Sequence, residues 1–141
     1  MIIASDTYRP RKVLPINVIH RTDIVGDMQF PYIVNCNLMI IPVDDGEICS
    51  GDTVLLKAMS YKKPVIVTMP STLGEMYIDN NVNGILMEKD EKNFGQTIDE
   101  LLNDKDKMRL LGNNARKTYS KKYSRLQMGY ILGKEIRNYS D

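Results

Sequence analysis

The stretch Leu38 to Thr68 (LMIIPVDDGEICSGDTVLLKAMSYKKPVIVT) constrains the fold more than any other part of the chain. Two short, continuous apolar runs, Leu38–Val43 and Pro64–Thr68, enclose a polar glycine-containing loop and a helical pattern, Gly51–Ser60. Strands apolar on both faces belong to a covered parallel sheet, and two of them joined through a helix make a βαβ unit. Such a sheet places its ligand on the loops that follow the strands, here Asp44 to Lys57.

The same alternation continues on both sides. Met1–Ser5 and Ile16–Arg21 predict two strands, and Gly84–Glu88 a fifth. A short helix broken or started at Pro31 is expected within Met28–Asn35, and another helix around Leu73–Asp79. Phe94, Ile98, Leu101 and Leu102 recur at the helical period, which makes Glu91–Leu102 amphipathic. Asn103-Asp104 interrupts that helix and caps another bearing Met108, Leu111 and Ala115, and a last helix covers roughly Arg125–Asn138. The expectation is one α/β domain over residues 1–141, a Rossmann-like parallel sheet flanked by helices.

Composition removes several function classes. With 19 basic and 18 acidic residues the chain has no global field suited to nucleic acid. The apolar start Met1–Ala4 is too short for a signal peptide, and no apolar run approaches the roughly 20 residues of a membrane span. A cytoplasmic location is expected. One histidine, His20, and two separated cysteines, Cys36 and Cys49, cannot furnish a zinc site or a supported nucleophilic triad. Eight basic residues between Lys105 and Arg125 form either a solvated helical face or a peripheral contact with the anionic inner face of a membrane.

The loop itself has two chemistries. Ser50-Gly51-Asp52-Thr53 stands where a helix begins, and its unpaired N–H groups and dipole suit an anion such as a phosphate. Gly51 admits close approach, Ser50 and Thr53 bring hydroxyls that bind the anion or cap the helix, and Lys57 adds a cation one turn on. Asp44, Asp45 and Glu47 form an acidic cluster whose oxygens would suit a hard metal, although Gly46 turns a loop without any ion; a solvated turn or carboxylates that bind sugar hydroxyls are the other readings. Phosphate beside hydroxyl acceptors describes a nucleotide sugar.

These residues also carry a family resemblance. Ser50 to Met59 followed by Lys63 to Thr68 resembles the donor-site segment of retaining glycosyltransferases of the GT-B fold, most of all family 4 and its "glycosyl transferases group 1" domain. Pro31 to Pro42 resembles the family's short helix and "A-D-hydrophobic-P" strand. Tyr77 to Leu86 (YIDNNVNGIL) resembles "I-x-D-G-x-N-G-hydrophobic-L", and Leu111-Gly112-Asn113-Asn114-Ala115-Arg116 resembles "L-G-x-N-A-R". Together they cover about residues 28 to 125, in the family's order.

The resemblance implies a donor-binding C-terminal domain that works with an acceptor-binding domain or subunit, takes a nucleotide diphosphate sugar as substrate, and needs no cofactor and no catalytic metal. The family's paired glutamates fall at Cys49 and Lys57, which puts the usual ribose contact in doubt. A variant pattern, Ser-Gly-Gln-Thr before "L-L-Q-A-M", fits better and leaves Glu47 or Asp45 as the sugar-facing carboxylate. Arg21 and Thr22, in the loop after the second strand, would border the nucleobase. The family's opening strand–loop of this domain, with the basic pair that meets the diphosphate, is missing, so an N-terminally truncated domain is expected; Arg9, Arg11 or Lys12 are candidate remnants of that region whose spacing does not establish the match.

Two other readings stay open. A non-catalytic partner subunit would expose an apolar face near Ile2–Ile3 or on the last helix at Met128, Ile131 and Ile136. A flavodoxin-like signalling domain would use Asp44 at its strand end, although the downstream segments fit it poorly.

Overall fold

The computed structural model describes residues 1–4, 10, 12–44, 47 and 49–139. They divide into two compact units, Met1–Asn35 and Cys36–Asp141. The first holds parallel strands β1 (Ile2–Ala4) and β2 (Ile19–Arg21), with Ile2 opposite Ile19, then a 3-10 turn (Gly26–Gln29) that runs into helix α1 (Phe30–Asn35). The strand predicted from Ile16 starts three residues later. The Val18 N–H donates to the Pro15 carbonyl at 2.9 Å, closing a turn over Ile16 and Asn17. Proline has no N–H to offer a ladder, so turn closure outcompetes the β-branched pattern there.

The second unit carries the predicted βαβ core. Strands β3 (Met39–Ile41), β4 (Val65–Met69) and β5 (Ile85–Glu88) pair in parallel in that order, with Ile40 opposite Ile66 and Val67 opposite Leu86. Helix α2 (Asp52–Ser60) links β3 to β4, and α3 (Thr72–Tyr77) links β4 to β5. Helices α4 (Glu91–Asn103) and α5 (Lys105–Thr118) follow, then a π-helical turn (Tyr119–Tyr123) and α6 (Arg125–Asn138). Within each sheet every strand pair is parallel, as expected, and the strands form two sheets, one in each unit.

Side-chain alternation along β4 explains why its run is apolar throughout. Ile66 joins Ile85, Met87, Leu101 and Leu111 in a cluster completed by Phe94, Ile98 and Met108 of the two amphipathic helices. Val65 and Val67, equally buried, point to the opposite face, and α2 and α3 both pack on β4. Leu55, Ala58 and Met59 of α2 are fully buried. Each large side chain so covered contributes on the order of 1.5–3 kcal/mol relative to exposure.

Close approach also gives the "L-G-x-N-A-R" segment a physical meaning. A Cβ built on Gly112 would lie 2.1 Å from the Lys62 carbonyl oxygen, so only glycine lets α5 cross the end of α2. One turn later Arg116 Nη1 donates to the Ser60 carbonyl at 2.6 Å, with its guanidinium over the Tyr119 ring. Asn114 Nδ2 donates to the Val82 carbonyl at 3.0 Å. In the loop that Asn114 reaches, buried Asn83 donates to the Tyr77 carbonyl and Thr118 Oγ1 and accepts from the Asp79 N–H. The motif is a clamp that fixes helices and loop to one another.

Candidate functional site

The carboxyl ends of β3, β4 and β5 together hold the loop that precedes α2. The Val43 N–H donates to buried Thr68 Oγ1 at 2.8 Å, tying the loop's first residues to the end of β4. Lys89, just past β5, donates to the Asp44 carbonyl at 3.2 Å, and Thr72 at the start of α3 donates to the Glu47 carbonyl at 3.4 Å. The protein thus grips this loop by its backbone, while Asp44 and Glu47 are exposed. Asp45 and Gly46 lie outside the described residues.

The loop enters α2 through Gly51, which has φ +95. This left-handed conformation is one that glycine adopts at little cost. A Cβ there would also come within 3.1 Å of Ile41 Cγ2 and 3.5 Å of Leu73 Cδ2. Gly51 therefore brings the backbone at the helix start down against the sheet and α3, for reasons of φ and of space.

Neither Ser50 nor Thr53 caps the helix; Gly51 occupies the N-cap with no side-chain cap bond. Asp52 takes part of that role. Its carboxylate accepts from the Thr53 N–H at 2.7 Å and from the Thr53 hydroxyl at 3.4 Å. The helix's first backbone bond is Leu55 N–H to the Gly51 carbonyl at 2.9 Å. Ser50 and Thr53 are exposed beside it. Lys57 is half-buried one turn beyond Thr53, on the same side of the helix, and makes no ion pair among the described residues. Asp52 lends one negative charge to the helix dipole, and Lys57 a positive one nearby.

Two tyrosines join this surroundings from far along the chain. Tyr77 and Tyr123 meet with ring centroids 5.0 Å apart at 54°, and Tyr123 donates to the Met76 carbonyl at 3.4 Å. Burial raises the Tyr77 phenol's pKa, and Cys49, Asp52 and Tyr123 raise it further. Sequence reasoning missed Tyr77 and Tyr123, and also Thr68, Thr72 and Lys89. Only the topology brings these positions to the loop, and no spacing announces them.

Arg21 and Thr22 belong to the first unit, at and just after the end of β2. The Arg21 fork is bidentate on Asp23, Nε to Oδ1 at 2.7 Å and Nη2 to Oδ2 at 2.5 Å, while Nη1 donates to the Tyr32 hydroxyl at 3.4 Å. The guanidinium's hydrogen bonds hold the Asp23 carboxyl down at about 2, and the pair in turn raises Arg21. In the second unit Cys36 is half-buried, which pushes its thiol pKa up, while Lys63 donates to its carbonyl at 2.9 Å. Among the described residues no three His, Cys, Asp or Glu side chains gather as metal ligands, and no helix is long and apolar enough to cross a membrane.

Residues 33–118 match the family model described as glycosyl transferases group 1. The chain belongs to that family. An uncharacterized glycosyltransferase of Methanocaldococcus jannaschii is 31% identical over 113 residues, covering 77% of this chain and 31% of that protein. Among solved structures, Anabaena HepE in complex with UDP and glucose superposes with a TM-score of 0.67 at 20% identity, over 86% of this chain and 32% of HepE. The C-terminal domain of the group 1 family protein LpcC from Francisella tularensis gives 0.60 at 22% identity, over 77% of this chain and 54% of that domain. The fold is that of GT-B glycosyltransferase domains. The chain spans about a third of the length of the curated relative and of HepE.

Proposed function

We propose that this family member binds a nucleotide diphosphate sugar at the start of α2 and serves, as one donor-binding domain, in transfer of the sugar to an acceptor hydroxyl. The observation that carries the reading is the geometry at Gly51: a helix start without a side-chain cap, drawn against the sheet at the carboxyl ends of three parallel strands. A diphosphate suits the N–H groups and dipole of such a start, and Ser50, Thr53 and Lys57 bring hydroxyls and a cation to it. As the bond from the sugar's anomeric carbon to the diphosphate breaks, the charge gained by the leaving group is stabilised there. Glu47, with Asp45 beside it in sequence, is assigned to the sugar, and Asp52 holds the helix start in shape. Arg21 and Thr22 are assigned to the base. Within the first unit the Arg21 fork is paired with Asp23.

HepE was solved with UDP and glucose, which supports a uridine nucleotide as the first donor to try. The whole reaction also needs an acceptor-binding part, because the chain corresponds to about a third of such proteins. Ile2 and Ile19, exposed on the two-stranded sheet, suit contact with it. No cofactor or metal is assigned, and the cytoplasm is the proposed location.

Calorimetry with UDP, GDP and ADP and their sugar conjugates tests the donor assignment. Saturable binding of one nucleotide, weakened by salt, is expected; no binding by any of them removes the donor reading. The 141-residue chain is expected to transfer no sugar alone, and turnover without a second polypeptide would refute that part.

A further inference from the structure

The loop between β3 and α2 is held at three points, and each hold is on its backbone. Buried Thr68, in β4, accepts the Val43 N–H at 2.8 Å. Lys89 Nζ donates to the Asp44 carbonyl at 3.2 Å, and Thr72 Oγ1 donates to the Glu47 carbonyl at 3.4 Å. The sheet order is β3-β4-β5, so Lys89, which follows β5, stands two strand spacings from β3, about 10 Å. Its link to Asp44 therefore crosses the carboxyl end of β4. Thr72 opens α3, which is fixed by the fully buried Leu73 beside it.

None of these holds uses a carboxylate of the loop. Asp44 and Glu47 are exposed, so the holds fix where the loop runs and keep its acidic side chains on the surface. The helix start at Gly51 is fixed by other means, its left-handed φ and its approach to Ile41 and Leu73. The acidic part of the loop and the helix start are thus anchored separately. Lys89 also sets a positive charge beside a stretch whose sequence holds Asp44, Asp45 and Glu47, and a cation there offsets the repulsion among them.

From this arrangement we infer that Lys89, assisted by Thr72, is a positioning residue that sets the preference for a sugar-bearing nucleotide over the bare diphosphate. The inference rests on the donor reading above, in which the acidic loop takes the sugar and the helix start takes the diphosphate. A carboxylate recognises a hydroxyl only within a narrow range of distance and angle, so its backbone has to be held to a fraction of an ångström. Lys89 acts on the loop's backbone rather than on the ligand. Without its ammonium the loop is released from β5 and the sugar contact suffers, while the anchoring of the helix start is untouched.

Calorimetry with UDP and UDP-glucose on the parent, Lys89→Met and Lys89→Arg tests it, read as the ratio of the UDP Kd to the UDP-glucose Kd. In Lys89→Met this ratio is expected to fall about fivefold, the scale of one hydrogen bond, with UDP affinity and thermal melting as in the parent. Lys89→Arg still donates to a carbonyl and is expected to restore most of the ratio; Thr72→Val should lower it by less than Lys89→Met. The carbonyl 13C shift of Asp44 is expected to move in Lys89→Met before any nucleotide is added. An unmoved Asp44 carbonyl, an unchanged ratio, or an equal loss for UDP and UDP-glucose, as a cation touching the diphosphate would give, would each overturn the inference. A parent that binds no UDP removes the donor reading and this inference with it, whereas UDP binding with an unchanged ratio removes this inference alone.

Discussion

The two ends of α2 are finished by opposite means. At its carboxyl end the rest of the protein supplies every device. The Lys63 N–H donates to the Ala58 carbonyl, Lys62 turns the chain at φ 57, Arg116 takes the Ser60 carbonyl, and α5 presses Gly112 onto Lys62. At its amino end Gly51 makes the turn without a side-chain cap, with Ser50 and Thr53 exposed and Lys57 half-buried nearby. Helix ends carry unsatisfied polar groups that something must meet. One end is met by the fold; the other is held in place by the fold, and it is there that the proposed donor would bind.

The comparison is sharpest where glycine is required at each end. Gly112→Ala forces a Cβ into backbone, so a loss of about 3 kcal/mol is expected, or failure to fold, measured by urea denaturation. A variant as stable as the parent would mean that α5 does not cross so closely. Gly51→Ala carries both an unfavourable φ and a 3.1 Å contact with Ile41, and should cost about 1–3 kcal/mol. It should also remove nucleotide binding under conditions where the chain is still folded; retained affinity would break the link between this turn and the ligand.

Lys57→Glu should leave stability within about 0.5 kcal/mol, because exposed ends of surface side chains contribute little. It should weaken nucleoside diphosphate binding about tenfold, the scale of one charge at a partly exposed site. Tighter binding would instead mean that Lys57 stands where a carboxylate serves the ligand better.

The smallest effect is expected in the first unit, at Arg21–Asp23. Asp23's folded pKa lies below its ordinary value, so the pair contributes fully above the ordinary carboxylate range and is lost as pH falls toward about 2. Arg21→Gln should move the Asp23 titration, followed by carboxyl NMR shifts, back up toward 3.8, with little change in melting because both groups are exposed. An unmoved midpoint would show that Arg21 does not hold Asp23.

Much of the second unit was legible because its signals are local. Val65 to Thr68 is buried on both faces, Phe94 and Ile98 repeat at the helical period, and Asp104 caps α5 through the Lys107 N–H at 2.8 Å. Helix boundaries moved by only a residue or two, as at α3, where Ser71 accepts from the Gly74 N–H and so starts the helix at Thr72. The contacts that shape the site were not legible. Thr68 reaches Val43, Lys89 reaches Asp44 and Tyr123 reaches Tyr77 across 25, 45 and 46 positions, which only the parallel crossovers bring together. Of the two roles the sequence left open to Ser50 and Thr53, capping is not taken up: Gly51 stands at the N-cap without a side-chain bond, and Asp52, inside the helix, accepts from the Thr53 N–H.

Backbone amide shifts along α2 during titration with UDP test the asymmetry most directly. Perturbations concentrated at Ser50 to Val54, with Ser60 to Lys63 unmoved, are predicted. Shifts centred instead on Ser60, Lys62 and Arg116, or none with any nucleoside diphosphate, would contradict it.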